Sequence, residues 1–126
     1  MPKIFEVHVQ THFSAARSLE GYPGVCAGIH GHTWVVEVYV RCEHLNEIGL
    51  GIDIGVIKQA TREVLRNLDH SNLNELPAFE GMNPTSENIA KYLYQSLSGT
   101  LNSDGVRVSK IKVSETPGAG ASYWEE

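Results

Sequence analysis

The stretch HGHTWVVEVYVRC, residues 30–42, predicts the central element of the fold. Apolar side chains recur at every second position, as in a β-strand with one buried face; they are Trp34, Val36, Val38 and Val40. In such a strand His30 and His32 lie on one face, about 6.6 Å apart along the chain. Two imidazoles at this spacing can reach a single zinc ion.

A second strand pattern precedes this stretch. Residues 3–17 alternate between apolar and polar side chains, which predicts a long strand with one buried face and one polar face. Residues 18–29 contain the turn formers Gly21, Pro23, Gly24 and Gly28 and therefore read as a loop, which carries Cys26. Two long strands joined by a loop favour antiparallel pairing.

Two amphipathic helices are predicted in the second half of the chain. Asp53 can accept the free N–H groups at the start of a helix over about residues 54–68, whose apolar side chains recur at helical spacing. Thr85 can cap a second helix in the same way, and Gly99 is a typical helix end. The segment between the helices reads as irregular.

The last predicted strand covers residues 105–116. Its apolar side chains change parity, which indicates a β-bulge near Ser109-Lys110. The order β-β-α-α-β, with room for a short strand before or between the helices, is typical of a two-layer α+β domain spanning residues 1–126. We expect the helices to cover one sheet face, and the partly polar other face to close into a barrel with copies of itself.

Composition excludes several classes of function. Ten basic residues stand against fifteen acidic ones, for a net charge of −5, and no Lys/Arg run of five occurs, so we expect no nucleic-acid binding. No stretch approaches the roughly 20 apolar residues of a membrane span, and no secretory signal is evident. Cys26 and Cys42 do not make a disulfide framework, and Cys42 reads as structural. A cytoplasmic protein without membrane contact is expected.

Six short motifs occur in order along the chain: Phe13-Ser14-Ala15-Ala16, Cys26-x3-His30-Gly31-His32, Leu68-Asp69-His70, Leu73-Asn74, Asn83-Pro84-Thr85-Ser86-Glu87-Asn88 and Ser114-Glu115-Thr116. Together they resemble the 6-pyruvoyl-tetrahydropterin synthase family over nearly the whole chain. The three-residue gap between Cys26 and His30 resembles that of the bacterial branch, 6-carboxy-5,6,7,8-tetrahydropterin synthase of queuosine biosynthesis.

The resemblance implies a tunnelling fold (T-fold), an antiparallel sheet with two helices packed on one face. It implies trimers whose sheets join into a barrel, and two trimers stacked into a homohexamer with active sites between subunits. It also implies a pterin triphosphate substrate, 7,8-dihydroneopterin triphosphate, which loses acetaldehyde and triphosphate to give 6-carboxy-5,6,7,8-tetrahydropterin. The expected activity is that of a carbon–carbon lyase.

Roles for the chemical residues follow from the same resemblance. Cys26 would be the general base on the side-chain carbons, and this role needs a lowered thiol pKa. Asp69 and His70 would relay the proton, with Asp69 orienting the imidazole. His30 and His32 would hold zinc, which polarises the side-chain oxygens of the substrate.

The expected pterin pocket involves three further residues. Glu115 would bind the guanidine-like edge of the pterin through paired, charge-assisted hydrogen bonds. Thr85 and Ser86 would contribute to the same pocket, although a helix cap explains them equally well.

Arg17 departs from the family pattern, which has the third zinc-ligand histidine at this position. Arginine stays protonated and has no lone pair for a metal. Three outcomes are open: another group such as His12 replaces the ligand, zinc binds through His30 and His32 with waters, or the metal is absent and Arg17 is a fixed positive charge for a phosphate or enolate oxygen. The alternative function is therefore a pterin-binding homologue with altered or lost catalysis.

Overall fold

The computed structural model describes residues 3–24 and 28–126, in which the chain forms a four-stranded antiparallel sheet of order β1-β2-β3-β4. The elements are β1 (Phe5–Arg17), β2 (His30–Cys42), α1 (Ile54–Leu65), α2 (Ser86–Leu101), β3 (Val106–Thr116) and β4 (Ala119–Tyr123). The predicted α+β class, antiparallel sheet and two helices are confirmed.

The first two strands pair over their full length. The register runs from Phe5 opposite Cys42 to Arg17 opposite His30. Phe13 stacks on Trp34 with ring centroids 5.1 Å apart, and both side chains are buried beneath the helices. This register places position 17 directly beside the paired histidines.

The predicted β-bulge is confirmed in β3. Lys110 pairs with Tyr39, and Val108 pairs with the next residue, Val40, so Ser109 has no partner in the ladder. The extra residue restores the parity of the strand. As a result Val108 and Ile111 are both fully buried, although an odd number of positions separates them.

The tail forms a fourth strand that the sequence pattern did not predict. The order is β-β-α-α-β-β, so the extra short strand follows β3 instead of lying before or between the helices. Small residues in this strand give no alternation of apolar and polar side chains. Gly120 is required there, because a Cβ at this position would lie 2.5 Å from the Val113 carbonyl oxygen. Tyr123 secures the strand by an edge contact with Tyr94, whose ring centroid lies 5.2 Å away.

Both helices differ from prediction at their C-terminal ends. The helix α1 ends at Leu65 because the chain tightens beyond it, and the Leu68 N–H bonds to the Leu65 carbonyl three residues back. The helix α2 continues past Gly99 to Leu101, which is buried, so packing overrides the glycine. Within the described residues, neither helix combines the length and apolar character needed to cross a membrane.

Cys42 lies at the end of β2 with no exposed surface. Gly51 closes over it, since a Cβ at position 51 would lie 2.6 Å from the Cys42 Cβ and 2.8 Å from its sulfur. The prediction that Cys42 is structural agrees with this position.

Candidate functional site

An open cleft of about 650 Å³ lies where β1 ends and β2 begins. Residues 14–16, 31–33 and 70–72 line it. The cleft brings together His32 and His70, two predicted site residues that are far apart in sequence. Residues 70–72 reach the cleft because backbone hydrogen bonds join this segment to the free edge of β1.

Backbone pairing with β1 fixes the position of the Asp69-His70 step. The His70 N–H donates to the Ser14 carbonyl at 2.6 Å, and the Ala16 N–H donates to the Ser71 carbonyl at 2.8 Å. The Asp69 carboxylate accepts a hydrogen bond from the Ser14 N–H at 2.9 Å. The step therefore continues the sheet edge.

The side chain of His70 extends away from this edge and is 83% exposed. Its Nε2 lies 3.5 Å from the second carboxylate oxygen of Asp69. Its backbone has φ 57°, which makes His70 the one non-glycine residue with positive φ among those described. A non-glycine residue in this region stores strain, and such residues cluster at functional sites.

The two histidines of β2 lie side by side, with ring centroids 4.5 Å apart. Nδ1 of His30 lies 2.8 Å from the Gly28 carbonyl oxygen, which can only accept, so Nδ1 is the donor of this hydrogen bond. Burial, followed by the positive charge of Arg17, lowers the pKa of His32. The lowered pKa favours the neutral form of the His32 imidazole, which can offer a lone pair.

Arg17 is buried in an ion pair with Glu115. Its exposed fraction is 5%, and its two terminal nitrogens donate to Glu115 Oε1 and, at 3.0 Å, to the Pro84 carbonyl. The guanidinium carbon lies 5.3 Å from the centre of the Trp34 ring. Residue 17 thus joins the end of β1 to the end of β3 and to the segment before α2.

Glu115 is held at one oxygen by two donors. Ser86 Oγ donates to Oε1 at 3.1 Å, in addition to Arg17. Burial alone would raise the pKa of Glu115, but the hydrogen bonds and charge of its partners bring it below the ordinary value. The carboxylate is therefore ionised at neutral pH.

Thr85 and Ser86 differ in what they contact. Thr85 is the N-cap of α2, and its hydroxyl accepts a hydrogen bond from the Asn88 N–H at 3.1 Å. Ser86 is buried and directed at Glu115. Of the two residues predicted for the pterin pocket, Ser86 is therefore in contact with the central carboxylate and Thr85 is engaged in the helix cap.

Two asparagines that received no role from the sequence hold the chain after β1. The Asn74 side chain bonds to both backbone groups of Ser18, and the Asn83 side chain bonds to both backbone groups of Glu20. Both asparagines belong to the six ordered motifs, which is the only feature of the sequence that indicated a role for them. They position the start of the loop that leads to Cys26, which itself lies outside the described residues.

The donor set does not fit a three-ligand zinc centre. In residues 3–24 and 28–126, no three His, Cys, Asp or Glu side chains come together as metal ligands. His30 and His32 can supply two nitrogens, but the side chain beside them is the guanidinium of Arg17, a cation without a lone pair. Catalytic zinc generally has three protein ligands.

The sheet topology and the two helices on one face define a protein of the T-fold class. The solved structure of Caenorhabditis elegans 6-pyruvoyl tetrahydropterin synthase has the same fold, with a TM-score of 0.85 and 27% identity over 98% of this chain and 97% of that one. The 6-pyruvoyl tetrahydropterin synthase family model matches residues 6–126. The chain belongs to this family.

Two curated relatives that cover most of the chain are named 6-carboxy-5,6,7,8-tetrahydropterin synthase. The 6-carboxy-5,6,7,8-tetrahydropterin synthase of Synechocystis is 32% identical, over 94% of this chain and 92% of its own length. The protein of the same name from Bacillus subtilis is 30% identical, over 97% of this chain and 86% of its own. The family predicted from the six motifs is therefore confirmed.

Proposed function

We propose that the chain is a lyase that converts 7,8-dihydroneopterin triphosphate to 6-carboxy-5,6,7,8-tetrahydropterin, acetaldehyde and triphosphate, with uptake of one water. The observation that carries the proposal is that His32 and His70 line one cleft, with the Asp69 carboxylate 3.5 Å from the His70 imidazole. The names of the relatives support a carboxylated tetrahydropterin as the product.

Glu115 is the proposed anchor for the pterin ring. Its Oε1 is occupied by Arg17 and Ser86, which leaves Oε2 to accept hydrogen bonds from the guanidine-like edge of the ring. Its side chain remains 30% exposed, so a ligand can reach it. A carboxylate already fixed by two donors loses little freedom when it binds a third group.

Proton transfer is assigned to Cys26 and the Asp69-His70 step. Asp69 is fixed by the Ser14 N–H and lies beside the His70 imidazole, so it can orient that ring. The exposed imidazole can exchange protons with the ligand or with Cys26, the proposed base. The cleft supplies a fixed backbone frame for these transfers.

We further propose that the working enzyme is a homohexamer of two trimers, with barrels formed by the sheets and sites shared between subunits. The cleft is open, and the side chain of His70 extends out of the chain that carries it. A net charge of −5 also favours a site in which neighbouring chains pool their few cations around a triphosphate. A cytoplasmic place in queuosine biosynthesis fits this proposal.

The test is to incubate the purified chain with 7,8-dihydroneopterin triphosphate and to measure acetaldehyde and the carboxylated pterin. Both should form in equal amounts, and Cys26→Ala and His70→Ala should each abolish them. Tight pterin binding without product would instead favour a binding homologue that has lost catalysis. The observation behind this alternative is that Arg17, at the position of the third zinc-ligand histidine, is paired with Glu115. Absence of both binding and product would refute the proposal.

A further inference from the structure

Unpartnered nitrogen atoms gather around one tryptophan. Among the described residues, four buried side-chain nitrogen or oxygen atoms have no hydrogen-bond partner, and three of them are Arg17 Nε, His32 Nε2 and Trp34 Nε1. The Trp34 ring lies 5.2 Å from the His32 ring and 5.3 Å from the Arg17 guanidinium carbon. Folded proteins leave few such atoms unsatisfied, so a cluster of them indicates a place where an additional group binds.

The chemistry of these nitrogens favours an oxygen ligand. The Arg17 guanidinium and the Trp34 indole can only donate hydrogen bonds, so the group that they lack must be an acceptor. The guanidinium keeps its charge at every pH the protein would meet. A carbonyl or anionic oxygen meets both requirements, whereas a metal cation meets neither.

We propose that Arg17 is the permanent cation of this site in place of zinc, and that the Arg17 guanidinium and the His32 imidazole, as its Nε2–H tautomer, donate hydrogen bonds directly to an oxygen atom of the pterin ligand. The inference rests on the proposed function for the class of ligand. It makes pterin binding at this site independent of a metal ion.

Arg17 stays in place when a ligand binds. Removing it from Glu115 would leave a cation that is only 5% exposed without its counter-ion, which is a strongly unfavourable change. The pair therefore offers a pterin two adjacent features, a carboxylate oxygen for its donor edge and a guanidinium for its oxygen. If position 17 were a zinc-ligand histidine, Glu115 would have no guanidinium beside it, and this pair of features would be lost.

Metal content is the first measurement. The purified chain, dialysed against zinc and then against buffer, should keep less than about 0.1 zinc per chain, whereas Arg17→His should keep about one, because it restores a third imidazole. Arg17→Lys keeps the charge and should remain free of zinc. Stoichiometric zinc in the unaltered chain, or no gain in Arg17→His, would overturn the proposal.

Pterin binding is the second measurement, with neopterin fluorescence as the probe. The Kd of the unaltered chain should not change with EDTA, whereas Arg17→Met should weaken binding about tenfold. Arg66→Met, an exposed arginine at the end of α1, is the matched control and should bind as before. Loss of binding in EDTA, or an unchanged Kd in folded Arg17→Met, would refute the proposal.

The two proposals can fail separately. If the Arg17 variants do not fold, the metal content and the EDTA titration of the unaltered chain still decide the question. A zinc-free chain that gains zinc as Arg17→His but never binds neopterin would refute the pterin function, because the ligand class would be wrong. Turnover by a chain that holds one zinc would support that function and refute the role of Arg17.

Discussion

The Arg17–Glu115 pair joins the ends of two strands that are not neighbours in the sheet. Glu115→Ala should lower the free energy of unfolding by about 3 kcal/mol, because it leaves a buried cation without its partner. Urea denaturation measures this change. The control is Glu37→Ala, which leaves Lys112 without its partner; because Lys112 is 49% exposed and stays hydrated, the loss should be less than about 1 kcal/mol. Equal losses in the two variants would contradict the structural role of the pair.

The same pair should make stability depend on pH. Burial raises the pKa of Glu115, but the hydrogen bond and charge of Arg17 bring it below the ordinary value. A depressed carboxyl pKa stabilises the fold fully above the unfolded value of about 4.3, and this part is lost as the pH falls through the lower folded value. Denaturation curves between about pH 6 and pH 3 should be less pH-dependent in Glu115→Gln. The same slope in both proteins would count against the prediction.

His70 should separate stability from activity. His70→Gly relieves a positive φ but adds backbone freedom in the unfolded chain, so the free energy of unfolding should change by less than about 1 kcal/mol. Lyase turnover should fall by about 10²- to 10⁴-fold, because the proton relay is lost. His44→Gly, in an exposed turn, serves as the control in both assays. A fully active His70→Gly variant would remove His70 from the mechanism.

The start of α2 carries two hydroxyl groups with different tasks. Thr85→Ala removes the helix cap and should cost about 1 kcal/mol of stability, with an unchanged KM. Ser86→Ala removes a donor to Glu115 and should raise KM for the pterin substrate. Thr85→Ser keeps the cap and should behave like the unaltered chain. The opposite pattern, with KM sensitive to Thr85 alone, would assign the pocket to Thr85.

Strands were predictable from sequence where side chains alternate strongly, and they were missed where the side chains are small. The parity change in β3 indicated the bulge, because Val108 and Ile111 cannot both be buried without an extra residue. The fourth strand has no such pattern, since Gly120 is required by close backbone contact. Helix ends were missed because the tightened turn after Leu65 depends on tertiary packing.

The candidate site was predictable as a set of residues but not as a set of contacts. The motifs identified His32, His70 and Glu115, and the cleft brings the two histidines together. The pairing of Arg17 with Glu115 depends on a strand register that no local pattern encodes. Position 17 shares the parity of Phe13, so its burial could have been inferred, and a buried arginine needs an anion.

The proposed homohexamer can be tested by measuring its mass and by mixing variants. Sedimentation equilibrium should give the mass of six chains. If the His70 and Glu115 of one site come from different subunits, and if His70→Ala and Glu115→Gln are each inactive alone, mixing them should restore part of the activity, because some sites then receive both intact residues. Each variant refolded alone is the control. A monomeric chain, or a mixture that stays inactive, would contradict a shared site.

Because Cys42 is fully buried, the pKa of the Cys26 thiol can be measured in the native protein. The chain has two cysteines, and burial both shields the Cys42 sulfur and raises its pKa. An alkylating reagent such as iodoacetamide therefore reaches Cys42 only when the chain unfolds. The alkylation rate of the native protein, followed from about pH 6 to pH 10, titrates Cys26 alone and gives the pKa of the proposed base without replacing either cysteine.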